Sequence, residues 1–291
     1  MSQVLAALLG RRRETPVSPV DSAVDRGPPC SAAYCLPDAA LEYLTRQLLS
    51  DSPPSDTRFC CYRLSGDNPY SDIARTVECR VFEHFFGNSP DVMTDQYGPY
   101  ESQSSFLLVV DCRAQRPAGA LRIISSSPNR GLKTLEDIVH APLFLPTSKV
   151  MEHHGIDDLS RCWDVGSVAV LREYRGLKYD HLISTTLYGR LHMQAAASGI
   201  EHFTAILDSH AFGQLVRVFG VPFIPIMRSR AFPYLGSQSN VAAYCHVPSI
   251  PPMMAAHLNR LDVTFARSVR PYVMRLAYGE GIPEVVGTDQ R

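Results

Sequence analysis

One segment of the chain, residues 164–208, limits the possible folds more than any other. Asp164–Leu171 (DVGSVAVL) is a run of small and β-branched residues that predicts a buried strand. Tyr179–Gly199 predicts a long helix, and His202–Asp208 (HFTAILD) predicts a second strand. The apolar stripe of the helix repeats every four residues, at Ile183, Leu187, Leu191 and Ala195. A strand, a helix and a strand of these lengths predict a right-handed parallel crossover.

The rest of the chain predicts antiparallel strands and helices around this crossover. Phe106–Asp111 and Gly119–Ile124 flank a short turn and predict a hairpin. Phe59–Leu64 predicts an earlier strand, and Asp72–Phe86 an amphipathic helix after it. Further short helices are predicted over residues 134–140 and 211–219, and closing strands over residues 223–227 and 241–247. The predicted fold class is α/β, with a mixed, mostly antiparallel sheet, one central parallel βαβ crossover and flanking helices.

Composition divides the chain into three parts. Residues 1–57 contain two proline-rich stretches, so we expect a disordered or irregular lead-in with one short helix over Ala40–Ser50. Residues 58–250 contain the alternating strand and helix patterns and form the predicted domain. Residues 251–291 form a predicted helical appendage, whose helix should end before Pro271.

Charge and hydropathy argue against two classes of protein. The 28 basic and 29 acidic residues leave a formal charge of −1, which gives no indication of a nucleic-acid partner. No stretch approaches the roughly 18 apolar residues that a membrane span needs. The apolar run near the N terminus precedes Arg11–Arg13, which reverses the order of a secretory signal. We therefore expect a soluble cytoplasmic protein without a membrane span.

The eight cysteines bear on redox chemistry and metal binding. They lie at positions 30, 35, 60, 61, 79, 112, 162 and 245. They include no Cys-x-x-Cys pair, so no metal site is expected. Free thiols in a reducing cytoplasm are favoured over a disulfide framework. The adjacent Cys60 and Cys61 are interpreted as the interior of a strand and not as a redox pair.

The segment VAVLREYRGLKYDHLISTTLYGRL, residues 168–191, combines a strand, a basic loop with one glycine, and a helix. It resembles the acyl-CoA motif of the GNAT acyltransferases, whose loop has the form Arg/Gln-x-x-Gly-x-Gly/Ala. The resemblance implies the GNAT fold, acyl-CoA or acetyl-CoA as co-substrate, no metal, and the CoA pyrophosphate at a helix N terminus. Arg175 takes the first loop position, but Gly176 is displaced and Lys178 stands where the family prefers a small residue. Arg172, Arg175, Gly176 and Lys178 are therefore the expected pyrophosphate ligands.

Over roughly residues 58–247 the order of features is similar to that of the acyl-homoserine-lactone synthases and the N-acyl amino acid synthases within this fold. Their pattern has an acidic residue before the first hairpin, an arginine on the next strand and an acidic residue opening the crossover. Asp95, Arg122 and Asp164 take these places. The family often has arginine where Ser167 stands and usually glutamate at the position of Asp164, so the acyl acceptor stays open.

The resemblance implies that the two parallel strands, 164–171 and 202–208, splay apart at one end to hold the thioester. It also implies roles for residues along the first of these strands. Backbone groups of Val168 and Val170 would pair with the pantetheine arm as an added strand does, and an N–H there would stabilise the oxyanion. Asp164 is the expected general base, acting directly or through a water. The alternative is a structural carboxylate that pairs with Arg161 or Arg122.

The resemblance also implies roles for Asp95, Arg122 and the residue that protonates the leaving thiolate. Asp95 and Arg122 would position the acceptor, or else form a structural ion pair with each other. The tyrosine that many relatives use to protonate the leaving thiolate is absent from SHAFGQLVRVFG. His210 is the substitute, with Ser209 or water as alternatives, and Ser209 is also the expected helix cap.

These assignments predict an acyltransferase that moves an acyl group from acyl-CoA, or from an acyl carrier protein, to an amine of a small molecule. The alternative is a catalytically degenerate GNAT-like module that binds acyl-CoA or a metabolite as a regulatory or scaffolding domain. The glycine-poor loop and the missing tyrosine favour this alternative. A third possibility is an α/β enzyme of another kind with its cleft elsewhere.

Overall fold

A computed structural model describes residues 33–175, 179 and 181–285 of the chain. Its helices are α1 (Asp38–Asp51), α2 (Ser71–Phe86), α3 (Pro90–Tyr97), α4 (Lys133–Asp137), α5 (Thr147–His154), α6 (Leu182–Ala197), α7 (Ser209–Gly213), α8 (Ile250–Arg260) and α9 (Val263–Tyr278). Its strands are β1 (Phe59–Ser65), β2 (Ser104–Asp111), β3 (Arg116–Ser125), β4 (Cys162–Val170), β5 (His202–Asp208), β6 (Ile224–Pro225), β7 (Phe232–Tyr234), β8 (Ser237–His246) and β9 (Glu284–Val285).

These strands form one mixed sheet with the order β6-β8-β5-β4-β3-β2-β1-β9, and β7 also pairs with β8. The central neighbours β4 and β5 are parallel and are joined by α6. The edge pair β1–β9 is also parallel, and the other pairs are antiparallel. The predicted fold class and its parallel crossover are therefore confirmed.

The two crossover strands separate after a short paired stretch. They pair from Cys162 with His202 to Asp164 with Thr204. Within the described residues no pairing between β4 and β5 continues beyond Asp164, although β4 stays paired with β3 as far as Val170. The edge of β4 that faces β5 is therefore open over residues 165–170. This divergence is the predicted splay.

A bulge at Gly166 sets which way the side chains of β4 point. The register with β3 shifts between the pairs Ile123–Val165 and Arg122–Ser167, which leaves Gly166 as the extra residue. A Cβ atom at Gly166 would lie 3.2 Å from Arg122 Cδ and 3.1 Å from a methyl group of Ile124, so the site favours glycine. Because of the extra residue, Val165 packs on the α6 face while Ser167 contacts α2 on the other.

The two faces of the sheet are covered by different helices. Helices α6, α8 and α9 pack on one face, where Leu187, Met254 and Val273 join a large apolar cluster. Helices α1 and α2 cover part of the other face, around Leu48 and Val77. Alternate residues of the strands supply both clusters, as a period of two requires.

The described part of the predicted lead-in packs on the domain. Helix α1 matches the helix predicted over Ala40–Ser50, and its Leu41 and Leu48 are buried. Tyr34 is 3% exposed, and the backbone N–H of Leu36 donates to Thr76 Oγ1 at 3.1 Å. The domain boundaries near residues 58 and 250 stay predictions.

The C-terminal part departs from the predicted single helix ending before Pro271. Helix α8 ends at Arg260, and α9 begins after Asp262, whose carboxylate accepts from the N–H of Thr264 at 2.9 Å. Pro271 lies inside α9, so the predicted stop was wrong. A proline in a helix removes one hydrogen bond, and the burial of Val273 on the same helix offsets that loss.

Candidate functional site

The open edge of β4 is the centre of the candidate site. Val168 is half-buried and Val170 is buried, and both face the α6 side. The Nε atom of Arg175 donates to the carbonyl oxygen of Val170 at 2.5 Å. An N–H or C=O group in an unpaired strand edge suits an extended ligand that pairs as a strand does.

The turn after β4 brings basic side chains to the end of the splay. Arg172 is exposed at the start of a 3₁₀ turn, and the Arg175 guanidinium carbon lies 4.0 Å from the centre of the Phe85 ring. On the other side of the turn, Arg58 Nη2 donates to the Tyr179 hydroxyl at 3.3 Å. The remaining predicted ligands of this turn, Gly176 and Lys178, lie outside the described residues.

An apolar pocket lies beneath the splay on the α6 side. Its lining residues come from β4, β5, α6, α8, α9 and the chain after α7: Val165, Tyr188, Leu191, His192, Phe203, Ala205, Leu207, Leu215, Val221, Phe223, Ile250, Met254 and Leu276. His192 is 7% exposed, and its Nδ1 atom has no hydrogen-bond partner among the described residues. Burial lowers the pKa of His192, so the ring is neutral at pH 7 and the pocket carries no charge.

Asp164 lies at the point where β4 and β5 part, on the face opposite this pocket. It is fully buried, and its carboxylate accepts hydrogen bonds from the backbone N–H and the hydroxyl of Thr134, the latter at 2.7 Å. Burial raises the pKa of Asp164 from 3.8 to about 7, despite these hydrogen bonds. Neither predicted structural pair forms, because Arg161 pairs with Glu201 and Arg122 with other carboxylates.

A second polar cluster borders Asp164. Lys133 is 3% exposed, and its ammonium group donates to Asp137 at 2.6 Å, to the Tyr234 hydroxyl at 2.8 Å and to Gln96 at 3.0 Å. Asp137 raises the pKa of Asp164 and Lys133 lowers it. The protonation of Asp164 is therefore coupled to the ion pair between buried Lys133 and half-buried Asp137.

Arg122 is the centre of a buried ionic network on the α2 side. Its guanidinium donates to Glu78 at 2.7 Å and to Glu101 at 2.6 Å, and Glu101 also binds Arg75. Ser167 donates to Glu78, which links the network to β4. Two carboxylates bind Arg122. Glu101 precedes β2, which is where the sequence pattern places its first acidic residue. Glu78 lies on α2, and no feature of the sequence selected it as a partner of Arg122.

Asp95 lies apart from this network. It is exposed on α3, and among the described residues it makes no salt bridge with Arg122. The structure therefore does not bring this predicted pair together. The nearby residue that does reach the centre is Tyr97, whose hydroxyl donates to the carbonyl oxygen of Gly166 at 2.8 Å.

His210 lies at the carboxyl end of β5, in the first turn of α7. It is exposed, and its Nε2 atom is 2.9 Å from the amide nitrogen of Gln214. The helix cap is Asp208, which accepts from the N–H of His210 at 2.9 Å, so the expectation of Ser209 as the cap was wrong. Ser209 instead contacts the Ser239 hydroxyl at 2.7 Å.

The described residues contain neither a membrane-spanning helix nor a cluster of metal ligands. No helix there has the length and apolarity to cross a membrane. No group of three or more His, Cys, Asp or Glu side chains within residues 33–175, 179 and 181–285 is arranged to hold a metal ion.

Comparisons with known proteins give structural neighbours only. No protein-family model and no curated protein sequence matches the chain. The N-acyl amino acid synthase FeeM from uncultured soil microbes is similar over 70% of this chain and 99% of its own, with 14% identity and a TM-score of 0.50. The CoA-dependent acyl-homoserine lactone synthase BjaI, solved with SAM and isopentyl-CoA, matches 72% of this chain and 98% of its own, with 14% identity and a TM-score of 0.46. With its splayed parallel crossover, the chain has the GNAT fold.

Proposed function

We propose that the chain is an acyltransferase that moves an acyl group from acyl-CoA to the amine of a small molecule. The observation that carries this proposal is the divergence of β4 and β5 beyond Asp164. It leaves an open strand edge with an apolar pocket on one side and a buried carboxylate on the other. The fold shared with an N-acyl amino acid synthase supports the same class of reaction.

The donor would lie along the open edge of β4. The pantetheine arm would pair with backbone groups of Val168 and Val170, and Arg172 and Arg175 would bind the pyrophosphate beyond them. We propose Gly176 and Lys178 as further ligands of the same anion. Arg175 would have to exchange its contact with the Val170 carbonyl for the phosphate, which offers a full negative charge.

The acyl chain would enter the pocket on the α6 side. The lining is almost wholly apolar, and its one imidazole is neutral. Each methylene group buried there contributes about 0.8 kcal/mol to binding. We therefore propose a donor with an acyl chain longer than acetyl.

The chemistry would take place at the level of Asp164. The amine nitrogen attacks the thioester carbonyl carbon, the C–S bond breaks, and the CoA thiolate takes up a proton. Asp164, with a pKa of about 7, would accept the proton of the amine through a water, because Thr134 holds both of its oxygens. His210 or Ser209 at the end of β5, or solvent, would protonate the thiolate.

The alternative is a module that binds acyl-CoA without turnover. It is favoured by one observation: both oxygens of the Asp164 carboxylate accept hydrogen bonds from Thr134. On this alternative the carboxylate stabilises the start of α4 and does not act as a base. On that view Arg122 and Asp95 would likewise have no part in binding an acceptor.

The test has two steps. Mass spectrometry of the purified protein should detect co-purified CoA or acyl-CoA. A thiol-release assay should then detect free CoA when acyl-CoA donors of increasing chain length are supplied with a panel of small amines. Binding of CoA without thiol release from any amine would favour the binding module. Absence of CoA and acyl-CoA binding would contradict both the acyltransferase and the binding module.

A further inference from the structure

Two cysteines lie side by side where β1 begins and β2 ends. The Sγ atoms of Cys60 and Cys112 are 2.8 Å apart. A disulfide bond is about 2.05 Å long, so the sulfurs would have to approach by roughly 0.8 Å. The two backbones are already joined, because the N–H of Cys112 donates to the carbonyl oxygen of Arg58 at 2.7 Å.

The two thiols differ in exposure and acidity. Cys60 is fully buried, while Cys112 is half-exposed just beyond β2. The hydrogen bond between them lowers the pKa of Cys112 and raises that of Cys60. The thiolate is the nucleophile in thiol chemistry, so Cys112 is the sulfur that an oxidant would reach and react with first. Cys60 is placed to react second.

We propose that Cys60 and Cys112 form a peroxide-sensitive dithiol, a modification site that oxidation converts into an intramolecular disulfide. The Cys112 thiolate attacks the peroxide, the O–O bond breaks, and a sulfenic acid and hydroxide form. The hydroxide takes up the proton that Cys112 released on ionisation and becomes the first water. Cys60 sulfur then attacks Cys112 sulfur, the S–O bond breaks, and a second water leaves with the Cys60 proton. Hydrogen peroxide is reduced to two waters while two thiols are oxidised to one disulfide.

The position of the pair suggests what the bond would hold. Arg58 precedes β1 and forms an ion pair of 2.9 Å with Asp111, the residue before Cys112. The same guanidinium donates to Tyr179 in the turn after β4. The disulfide would link the start of β1 to the end of β2, where Arg58 forms its ion pair with Asp111 and its contact with Tyr179. This effect does not depend on whether the turn binds CoA. It would also close a loop of more than 50 residues, which restricts the unfolded chain.

Peptide mapping tests the inference directly. The reduced, natively folded full chain is treated with hydrogen peroxide, alkylated, digested with trypsin and analysed by mass spectrometry. We expect a cross-linked pair of peptides that contain Cys60 and Cys112, and dithiothreitol should separate them. Cys60 and Cys61 share one tryptic peptide, between Arg58 and Arg63, so the matched control is Cys61→Ser. This control should keep the cross-link, and Cys60→Ser and Cys112→Ser should abolish it.

Thermal unfolding gives a second measurement. Oxidised wild type and oxidised Cys61→Ser should melt roughly 5 °C or more above their reduced forms, and Cys112→Ser should show no such shift. The proposal is overturned if peroxide converts Cys112 of the wild type to a sulfinic acid without any cross-link. It is also overturned if the cross-link survives in Cys60→Ser. Should Cys60→Ser fail to fold, the peptide map of Cys61→Ser decides, because Cys60 is then the only cysteine in its tryptic peptide.

Discussion

The two faces of the sheet at the β4–β5 divergence have opposite chemistry. On the α6 face, Val165, Phe203 and Leu207 line an apolar pocket. On the other face, Asp164, Arg122 and the carboxylates that bind Arg122 are buried and have hydrogen-bond partners. We call these two sides the apolar face and the polar face. A splayed strand can therefore separate apolar side chains on one face of the sheet from buried ionisable side chains on the other.

The bulge at Gly166 maintains this separation. Without the extra residue, Val165 and Ser167 would point to the same side, and a hydroxyl would enter the apolar face. With it, Ser167 donates to Glu78 on the polar face, and Val165 stays in the pocket. One inserted glycine therefore keeps Ser167 on the face of α2 and Val165 on the face of α6.

Asp164→Asn is the strongest test of the polar face. Asparagine keeps the shape and can still accept from Thr134, but it cannot act as a base. Loss of a positioned base lowers rates by roughly 10²–10⁴-fold, so kcat should fall by that factor while the Kd for CoA stays unchanged. The control is Asp158→Asn, an exposed carboxylate before β4, which should change kcat less than twofold. Full activity of Asp164→Asn would contradict the mechanism, and loss of stability would assign Asp164 to structure.

The pH dependence of the same residue has a defined sign. The pKa of Asp164 is raised to about 7 in the folded protein, so between its ordinary value of 3.8 and 7 the folded chain holds a proton that the unfolded chain releases. Stability should therefore fall as pH rises through this window, and kcat should rise to a plateau above about pH 7. Asp164→Asn should lose the contribution of Asp164 to both dependences, seen as the difference from wild type in urea unfolding and in the pH–rate profile.

Arg122→Ala tests how far the polar face depends on its charges. The change leaves Glu78 and Glu101 buried, although Arg75 still binds Glu101. Breaking a buried ion pair costs about 3–5 kcal/mol, which urea unfolding would measure. The matched control on the same strand is Arg116→Ala, an exposed partner of Glu42, which should cost less than about 1 kcal/mol. Equal effects of the two changes would contradict the network.

Leu207→Trp tests the apolar face. Leu207 lines the pocket on β5, and a larger ring there would displace part of an acyl chain. Loss of two or three buried methylene groups predicts a roughly tenfold to hundredfold rise in KM for a long-chain donor, with little change for acetyl-CoA. Ile206→Trp adds the same volume on the opposite face and should not change chain-length selectivity. An equal rise for all donors would place the acyl chain outside this pocket.

How much the sequence could predict also differs between the two faces. The apolar face follows from local periodicity, because the stripe of α6 and the alternation of β5 each lie within one element. The splay was predicted from the resemblance of the 168–191 segment. Both predictions are confirmed at the level of the fold.

The polar face depends on contacts between distant residues, which no local pattern records. Arg122 was selected from its place in the pattern of the resembling synthases, but its partner Glu78 is 44 positions away on α2. Thr134 binds Asp164 from 30 positions away, and nothing in its own segment indicated this. The assigned roles of Asp164, Arg122, Asp95 and His210 therefore stay predictions.

Arg175→Glu tests the turn that lies between the two faces. A carboxylate there would oppose the CoA pyrophosphate, so the Kd for CoA should rise at least roughly tenfold, or about 1.4 kcal/mol. Arg46→Glu on the exposed face of α1 makes the same charge change away from the turn and should leave the Kd unchanged. Isothermal titration of the two folded variants makes the comparison. Unchanged affinity in Arg175→Glu would place the pyrophosphate elsewhere.

Tyr34→Phe should have the smallest effect, and it tests whether the chain before α1 belongs to the polar face. The Tyr34 hydroxyl donates to Glu101, and burial raises the pKa of Tyr34, so the phenol stays a donor. Phenylalanine keeps the ring and its packing, and Glu101 keeps two guanidinium partners, so the losses are the donation to Glu101 and a long hydrogen bond of 3.5 Å that Tyr34 accepts from Arg122. The free energy of unfolding should fall by about 1 kcal/mol, measured in urea. Tyr43→Phe, an exposed tyrosine on α1, should have no effect. If the two variants are equally stable, the network around Arg122 is complete without Tyr34 and is held by α2, β3, β4 and the segment before β2.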